Sequence, residues 1–407
     1  MKPTFMRRVG SAVAIILAVC GGVIACGDDD KDPVDPGGDE CESESVGPAG
    51  EFLYIANNGD GTVSVVDAKG CEVVATIEVG DEPSEANATH DGRHVFISNS
   101  GSNDISVIDT QTNTVVKTLP AGERPLHQFF SPSHDKLWIA NDNGGSVTVV
   151  DIASLSVERT IPVGSGHKKM ALTDGDPYKV YVSNSNDGTI SVIESDGMTV
   201  EATITVGAGP HGIDYSSVSR KVYNCSGSDQ PGIDVILTEG PGANTVEKVI
   251  PTPARCNYLH VAPDGRYIWA SANDADIVVV IDAMTDQVVG QVSTGEYPDK
   301  VRFFDGNRAL VTNVREASVS LIDQNTLQPL SKISVAGLGF WNEQFSFGHR
   351  ALQASLDGRH AYVPNSEGNS VSIVDAQTGV LLSTVAVGEA PNAMAVGGPA
   401  GGLPYPR

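Results

Sequence analysis

A set of histidine and charged residues recurs along this chain, each near the proline, or its equivalent, that opens a short apolar segment. Imidazole, ammonium and guanidinium groups gathered at one opening of an acidic protein would attract an anion or the carboxylates of a partner. The three histidines could instead hold a metal ion, because imidazole is its commonest protein ligand. A third interpretation is a wet, polar opening that binds nothing. The residues of this set are His127, His167, Lys168, His211, Asp299, Lys300 and Arg350.

A second candidate for binding is an aromatic insertion, Gly337–Arg350, in the longest spacing between repeats. It contains Phe340, Trp341, Phe345 and Phe347. Aromatic side chains in a surface loop commonly mark a binding surface. We assign Trp341 and Phe345 to the same binding surface as the charged set. The alternative is that these rings fill the wide centre of the fold.

Eight copies of one repeat must position these residues. Before each repeat's acid-terminated run lies a segment such as LYIAN or VYVSN, and after it one such as VVATIEVG. A fourth segment, such as APNAMAV, follows a proline. Four short β-branched strands per period, separated by Gly, Pro, Asn and Asp, are typical of a β-propeller blade. The runs end at Asp67, Asp109, Asp151, Glu194, Leu237, Asp282, Asp323 and Asp375, which are 41–45 residues apart with one spacing of 52.

The sequence therefore predicts an all-β fold, an eight-bladed β-propeller of four-stranded antiparallel blades. One sheet buries its faces only against its neighbours, and closure into a ring leaves few exposed edges. The repeats begin with the second strand of a blade, Phe52–Ala56, and end with a lone first strand, Asn392–Val396. This last strand should close the ring by pairing with the first three. One aromatic per blade, such as Tyr54 or Trp138, should fill the space between sheets. Seven blades is the alternative, if the irregular fifth or seventh repeat is not a blade.

The segments YIAN, YVSN, VTN and YVPN, with the S-V-[VI]-D, V-G, P and D-G elements that follow, resemble YVTN-type propeller repeats over about residues 51–397. This resemblance implies an extracytoplasmic surface, binding or scaffold protein. Its fold relatives include lactonases and haem-d1 nitrite-reductase domains. The fifth repeat departs from the pattern, because Ser226 replaces the asparagine and Leu237 the terminal acid.

Targeting signals occupy the N-terminus. A basic start precedes an apolar stretch and the sequence VIAC, which ends at Cys26. This order is that of an export signal, and VIAC resembles a bacterial lipobox. We expect a signal peptide over 1–25, a lipidated Cys26 that opens a disordered acidic tether over 26–50, the propeller over 51–397 and a tail over 398–407. An uncleaved membrane helix is the alternative. The expected location is the cell envelope, with the outer membrane favoured.

Four cysteines follow the leader, and an oxidising compartment favours disulfides between them. They allow three sets of pairs. Cys225 lies in the second strand of the fifth blade and Cys256 enters the next innermost strand. We therefore predict a Cys225–Cys256 disulfide, with Cys41 joined to Cys71.

Composition and missing motifs narrow the function. With 51 acidic and 26 basic residues, the net charge is −25, and nucleic acid is not an expected partner because phosphate binding needs clustered Lys and Arg. Nucleophile-elbow, Walker-type nucleotide, haem-attachment and zinc motifs do not occur, so no cofactor or metal is assigned.

Together these observations favour a binding protein. We expect a monomeric, lipid-anchored binding or scaffold module that holds an envelope protein or a small anionic ligand at one mouth of the axial channel. The alternative is an enzyme of the lactonase or oxidoreductase type at the same mouth. A mixed rim of charges indicates solvated groups, not the buried, coupled groups of an active site.

Overall fold

The computed structural model describes residues 50–226, 231–337 and 352–397, where 32 strands form eight four-stranded antiparallel sheets. The first sixteen strands are β1 (Phe52–Asn57), β2 (Thr62–Asp67), β3 (Glu72–Glu78), β4 (Pro83–Ala88), β5 (His94–Asn99), β6 (Asp104–Asp109), β7 (Thr114–Pro120), β8 (Pro125–Phe130), β9 (Lys136–Asn141), β10 (Ser146–Asp151), β11 (Ser156–Pro162), β12 (Met170–Leu172), β13 (Lys179–Asn184), β14 (Thr189–Glu194), β15 (Thr199–Thr205) and β16 (Ile213–Ser216). The others are β17 (Lys221–Ser226), β18 (Gly232–Leu237), β19 (Thr245–Pro251), β20 (Cys256–Val261), β21 (Tyr267–Ala272), β22 (Ile277–Asp282), β23 (Gln287–Ser293), β24 (Pro298–Phe304), β25 (Arg308–Asn313), β26 (Ser318–Asp323), β27 (Gln328–Ser334), β28 (Gln353–Ala354), β29 (His360–Asn365), β30 (Ser370–Asp375), β31 (Val380–Ala386) and β32 (Pro391–Gly397). A single turn of 3-10 helix, Asn273–Ala275, precedes β22.

The sheets close into a ring, which confirms the predicted eight-bladed propeller and rules out the seven-bladed alternative. Seven blades take four consecutive strands each, from β4–β7 to β28–β31. The remaining blade has the order β32-β1-β2-β3, so the last strand of the chain completes the first blade. Val396 of β32 lies opposite Leu53 of β1. Innermost strands of neighbouring blades contact each other around the axis, including β28 with β32 and β32 with β4 at the closure.

The predicted aromatic filler lies between the blades, and its polar tips also join one blade to the next. All seven of these aromatic side chains are at most 1% exposed. The hydroxyl of Tyr54 donates to Oδ1 of Asn113 at 2.8 Å, and that of Tyr181 donates to Oδ1 of Asn244 at 2.9 Å. Each acceptor lies in the turn before the outermost strand of the next blade, with a positive φ of 51° or 61° that asparagine tolerates. The aromatic residues are Tyr54, Phe96, Trp138, Tyr181, Tyr223, Trp269 and Tyr362.

The asparagine that ends most second strands lies inside the sheet. In the third blade, Nδ2 of Asn141 donates to Oγ of Ser146 at 3.0 Å and to Oγ1 of Thr148 at 2.9 Å. The amide is fully buried, so these bonds satisfy groups that would otherwise be costly to bury. In the irregular fifth blade, Asn224 instead donates to Asp234 at 3.1 Å. The fifth repeat therefore still forms a complete blade despite its missing asparagine.

The predicted disulfide between Cys225 and Cys256 is present and joins β17 to β20 in the next blade. Cys71 is also disulfide-bonded. Its pairing with Cys41 stays a prediction, because Cys41 lies outside the described residues. The predicted signal peptide, the predicted lipidation of Cys26 and the predicted tether up to residue 49 also lie outside the described residues and stay predictions. None of the helices in the described part of the chain has the length and hydropathy needed to cross a membrane.

Candidate functional site

The start of each innermost strand faces the ring axis, and seven residues of the described chain occupy equivalent places there. Each pairs, within its own blade, with the next-to-last residue of the second strand. Tyr258 lies opposite Ser271 in this way, and the carbonyl of Lys169 accepts a hydrogen bond from the Ser183 amide at 3.0 Å. The equivalent residues are Glu85, His127, Lys169, Gly212, Tyr258, Lys300 and Ala393.

This register moves the predicted cation of the fourth blade by one residue. His167 stands at the proline position, so Lys169 and not Lys168 is equivalent to His127. Lys168 is completely buried, and its ammonium donates to the carbonyls of Asp142 at 3.0 Å and Gly166 at 2.6 Å. The carboxylate of Asp142 contacts Nδ1 of His167. Lys168 therefore holds the loop around His167 in place, and Lys169 places its amine at the mouth.

The three predicted histidines form a continuous arc with Tyr258 across four blades. The rings of His127 and His167 meet edge to face, with centroids 5.2 Å apart. His167 and His211 are stacked at 4.5 Å with an interplanar angle of 21°. His211 meets Tyr258 edge to face at 5.3 Å. Among the described residues, no group of three or more His, Cys, Asp or Glu is placed to hold a metal ion.

A glycine makes room for this arc. Gly212 is equivalent to Lys169, and a Cβ at Gly212 would lie 2.7 Å from the carbonyl oxygen of Asn257. Without that Cβ, the Gly212 amide donates to the same carbonyl at 3.0 Å, and Nδ1 of His211 approaches it at 2.7 Å. The close approach of the fifth and sixth blades thus fixes the His211 ring against Tyr258.

Two lysines converge on the ring that ends the arc. Nζ of Lys169 lies 4.3 Å and Nζ of Lys300 4.0 Å from the centroid of Tyr258. Nδ1 of His127 lies 3.1 Å from Nζ of Lys169 and 3.5 Å from Oε2 of Glu85. We call these five residues, Glu85, His127, Lys169, Tyr258 and Lys300, the mouth cluster.

Burial shifts the ionisation of the mouth cluster and its neighbours. Desolvation and the nearby charge of Lys300 hold the pKa of Lys169 well below its ordinary value. Desolvation also lowers the pKa of Lys300 and raises that of Glu85, although the basic side chains of Lys300, Lys169 and Arg302 oppose the shift at Glu85. The pKa of His211 is held well below its ordinary value by burial and by the neighbouring His167. The expectation of a solvated rim was therefore wrong, because eight converging strands bury these groups together.

Of the other predicted site residues, one lies at the mouth and three lie outside the described residues. Asp299 is 9% exposed and precedes Lys300, where its charge favours the protonated form of both mouth lysines and so opposes the fall in their pKa. Arg350, Trp341 and Phe345 lie outside the described residues. Their assignment to the site stays a prediction.

A second opening lies at the far ends of the same innermost strands. A cavity of about 830 Å³ is lined there by Asp214, His260 and Arg302, together with turns of the sixth to eighth blades. Burial raises the pKa of Asp214 to about 6, and burial beside Arg302 holds that of His260 well below its ordinary value. Sequence reasoning missed these three residues. Each lies two positions after a residue at the mouth. Because side chains two positions apart in a strand point to the same face, this spacing was a sequence signal that could have predicted them.

Comparison with known proteins supports the propeller fold. A family model described as YNCE-like beta-propeller matches residues 41–178, about a third of the chain, which includes β1 to β12. No curated protein matches the sequence.

Solved structures of similar shape are numerous. The dihydro-heme d1 dehydrogenase NirN, in complex with DHE, has a TM-score of 0.67 and 18% identity, over 84% of this chain and 74% of that one. AztD from Citrobacter koseri has a TM-score of 0.66 and 15% identity, over 87% and 99% of the two chains. The Kuenenia stuttgartiensis hydrazine synthase has a TM-score of 0.57 and 20% identity, over 72% and 95%. At these identities the likeness establishes the fold alone.

Proposed function

We propose that this protein is a lipid-anchored, extracytoplasmic binding module that holds a small anionic ligand at the mouth cluster. The observation that carries the proposal is the convergence of Lys169 and Lys300 on one face of Tyr258, at 4.3 and 4.0 Å from its ring centroid. Carboxylates of an envelope protein that entered the mouth would meet the same chemistry.

Two amines held this close repel each other when both are charged, and burial makes the repulsion stronger than in water. The Tyr258 ring offsets part of this cost through cation–π attraction. An anion bound beside the amines would offset more, because the Lys300 ammonium would then donate a charge-assisted hydrogen bond to it. The protein as a whole is strongly acidic, with a net charge of −25. The mouth therefore concentrates basic groups within an otherwise negative molecule.

Calorimetric titration of the full chain in detergent with oxalate tests the proposal. The Lys300→Gln variant should bind oxalate about tenfold to a hundredfold more weakly, since a hydrogen bond to a charged group contributes about 1.5–3 kcal/mol. The matched control is Lys117→Gln on the outermost strand of the second blade, where the side chain is exposed. It should change affinity by no more than about twofold. Failure of the unaltered chain to bind oxalate, lactate or phosphate would refute the proposal.

The anchoring part of the proposal rests on the lipobox-like VIAC sequence and the acidic tether after it. Cys26→Ser should release the protein from the membrane fraction, because it removes the lipid attachment point. Intact mass of the wild-type protein should show a diacylated or triacylated N-terminal cysteine. A wild-type protein that stays unacylated would contradict the anchor.

The enzymatic alternative is favoured by one observation, the set of buried and mutually interacting ionisable groups at Glu85, Lys169, Lys300 and His211. An oxidoreductase of this shape would carry a redox group. The metal content and absorption spectrum of the purified full chain therefore distinguish the two. Stoichiometric metal or a haem band would favour the enzyme over the binding module.

A further inference from the structure

The two mouth amines share one buried place. Nζ of Lys169 lies 4.3 Å and Nζ of Lys300 4.0 Å from the same Tyr258 ring centroid. Two ammonium ions this close repel each other strongly where little water screens them, and this favours the loss of one proton. Lys169 is the more deeply buried of the two, at 5% exposed, and the charge of Lys300 lowers its pKa further. Lys169 is therefore the amine of the pair that gives up its proton more readily, and Lys300 keeps its own.

A neutral, buried lysine beside a second cation is the arrangement that makes an amine nucleophilic at neutral pH. Groups that can move protons stand next to it. Nδ1 of His127 lies 3.1 Å from Nζ of Lys169, and Oε2 of Glu85 lies 3.5 Å from the same imidazole nitrogen. His127 is 2% exposed, so its ring is held in one place between the amine and the carboxyl group.

We propose that Lys169 forms an imine with an α-oxo carboxylate bound at the mouth cluster, an inference that rests on the anion-binding function proposed above. The carboxylate of such a ligand would take the Lys300 ammonium as its partner. The carbonyl carbon is bonded directly to the carboxylate, so it arrives beside Nζ of Lys169. The Tyr258 face forms the floor under both lysines.

The reaction balances without an oxidant or reductant. The lone pair of Lys169 attacks the carbonyl carbon, a C–N bond forms, and the π electrons of the carbonyl move to its oxygen. One amine proton passes to the His127–Glu85 pair and a proton is returned to the oxygen, which gives a carbinolamine. Loss of that hydroxyl as water, with loss of the second amine proton, leaves a carbon–nitrogen double bond. The sum is amine plus ketone to imine plus water.

The test is borohydride trapping of the full chain with pyruvate as the probe. Reduction of the imine leaves a stable secondary amine, and peptide mapping by mass spectrometry locates it. The expected result is one reduced pyruvate adduct per chain, on Lys169. Lys169→Arg keeps a cation at the position but is not a nucleophile, and it should lose the adduct. Lys117→Arg, which removes an exposed lysine of the second blade, should label like the wild type.

Lactate separates this proposal from the binding function, because it has the carboxylate but no ketone. A chain that binds lactate yet gives no pyruvate adduct at Lys169 overturns the imine and leaves anion binding intact. Labelling spread over surface lysines, or retained at the mouth in Lys169→Arg, overturns it as well. A chain that binds neither anion refutes both proposals. Circular dichroism of Lys169→Arg establishes that it is folded, and the site of labelling in the wild type decides the question if it is not.

Discussion

Glu51 links the two ends of the ring, and its replacement by glutamine should change how stability depends on pH. The residue precedes β1, is 1% exposed, and belongs to the blade that the last strand completes. Its carboxyl group accepts hydrogen bonds from the Tyr362 hydroxyl and, at 2.8 Å, from the Leu356 amide. Both donors lie in the eighth blade, so these bonds cross the seam where the chain's first and last blades meet.

Burial raises the pKa of Glu51 from 4.5 to about 7. The folded protein therefore binds this proton more tightly than the unfolded chain does. The resulting stabilisation is complete below about pH 4.5 and is lost as the pH rises through about 7. A shift of this size corresponds to about 3 kcal/mol, since each pKa unit is about 1.4 kcal/mol. Glu51→Gln keeps an acceptor at the seam but has no proton to lose, so it should lack this dependence.

Urea unfolding of the wild type and of Glu51→Gln at about pH 5 and about pH 8 measures the effect. The free energy of unfolding of the wild type, taken relative to the variant, should fall by about 3 kcal/mol between the two pH values. Taking the difference between the proteins removes contributions from other titrating groups. A difference that is the same at both pH values, or that grows as the pH rises, would refute this account of the seam.

Two further predictions concern residues that shape the sheets and the mouth. Asn141→Ala should lower the free energy of unfolding by about 1–3 kcal/mol, because it leaves two buried hydroxyls without their donor. Urea unfolding measures this loss. A loss no greater than that caused by Thr112→Ala at an exposed position would contradict the prediction. Gly212→Ala should cost about 1–3 kcal/mol of stability, since its Cβ would press on the Asn257 carbonyl. It should also weaken oxalate binding. The control is Gly70→Ala, where the nearest contact of the new Cβ is a side-chain atom at 3.3 Å, and it should change neither stability nor oxalate binding. Thermal unfolding measures the stability of both variants, and calorimetry measures their affinity for oxalate.

The fold was predictable because each level of the repeat points to the same answer. Strand alternation, turn residues and a period of about 43 residues specify a blade, and the lone strand after residue 390 specifies how the ring closes. The role of the second-strand asparagine was harder to predict. Asparagine suits turns, yet the amide of Asn141 lies inside the sheet and bonds two hydroxyls of the neighbouring strand.

The site was only partly predictable, for two physical reasons. Counting from a proline fails in the fourth blade, where His167 takes the proline position, and so Lys168 was chosen in place of Lys169. Burial depends on how closely eight strands converge, which no single repeat records. The sequence therefore indicated a solvated rim where the structure has a desolvated cluster.

The ionisation state of Lys169 decides whether the mouth holds a neutral amine. Selective ¹³C labelling of lysine side chains and NMR titration would give the pKa of each ammonium group, with Lys169→Arg to assign the resonance. We predict one lysine whose pKa lies well below those of the exposed lysines, absent from the spectrum of the variant and shifted upward by Lys300→Gln. A Lys169 resonance that titrates together with the surface lysines would contradict the neutral amine, and with it the chemistry proposed for the mouth.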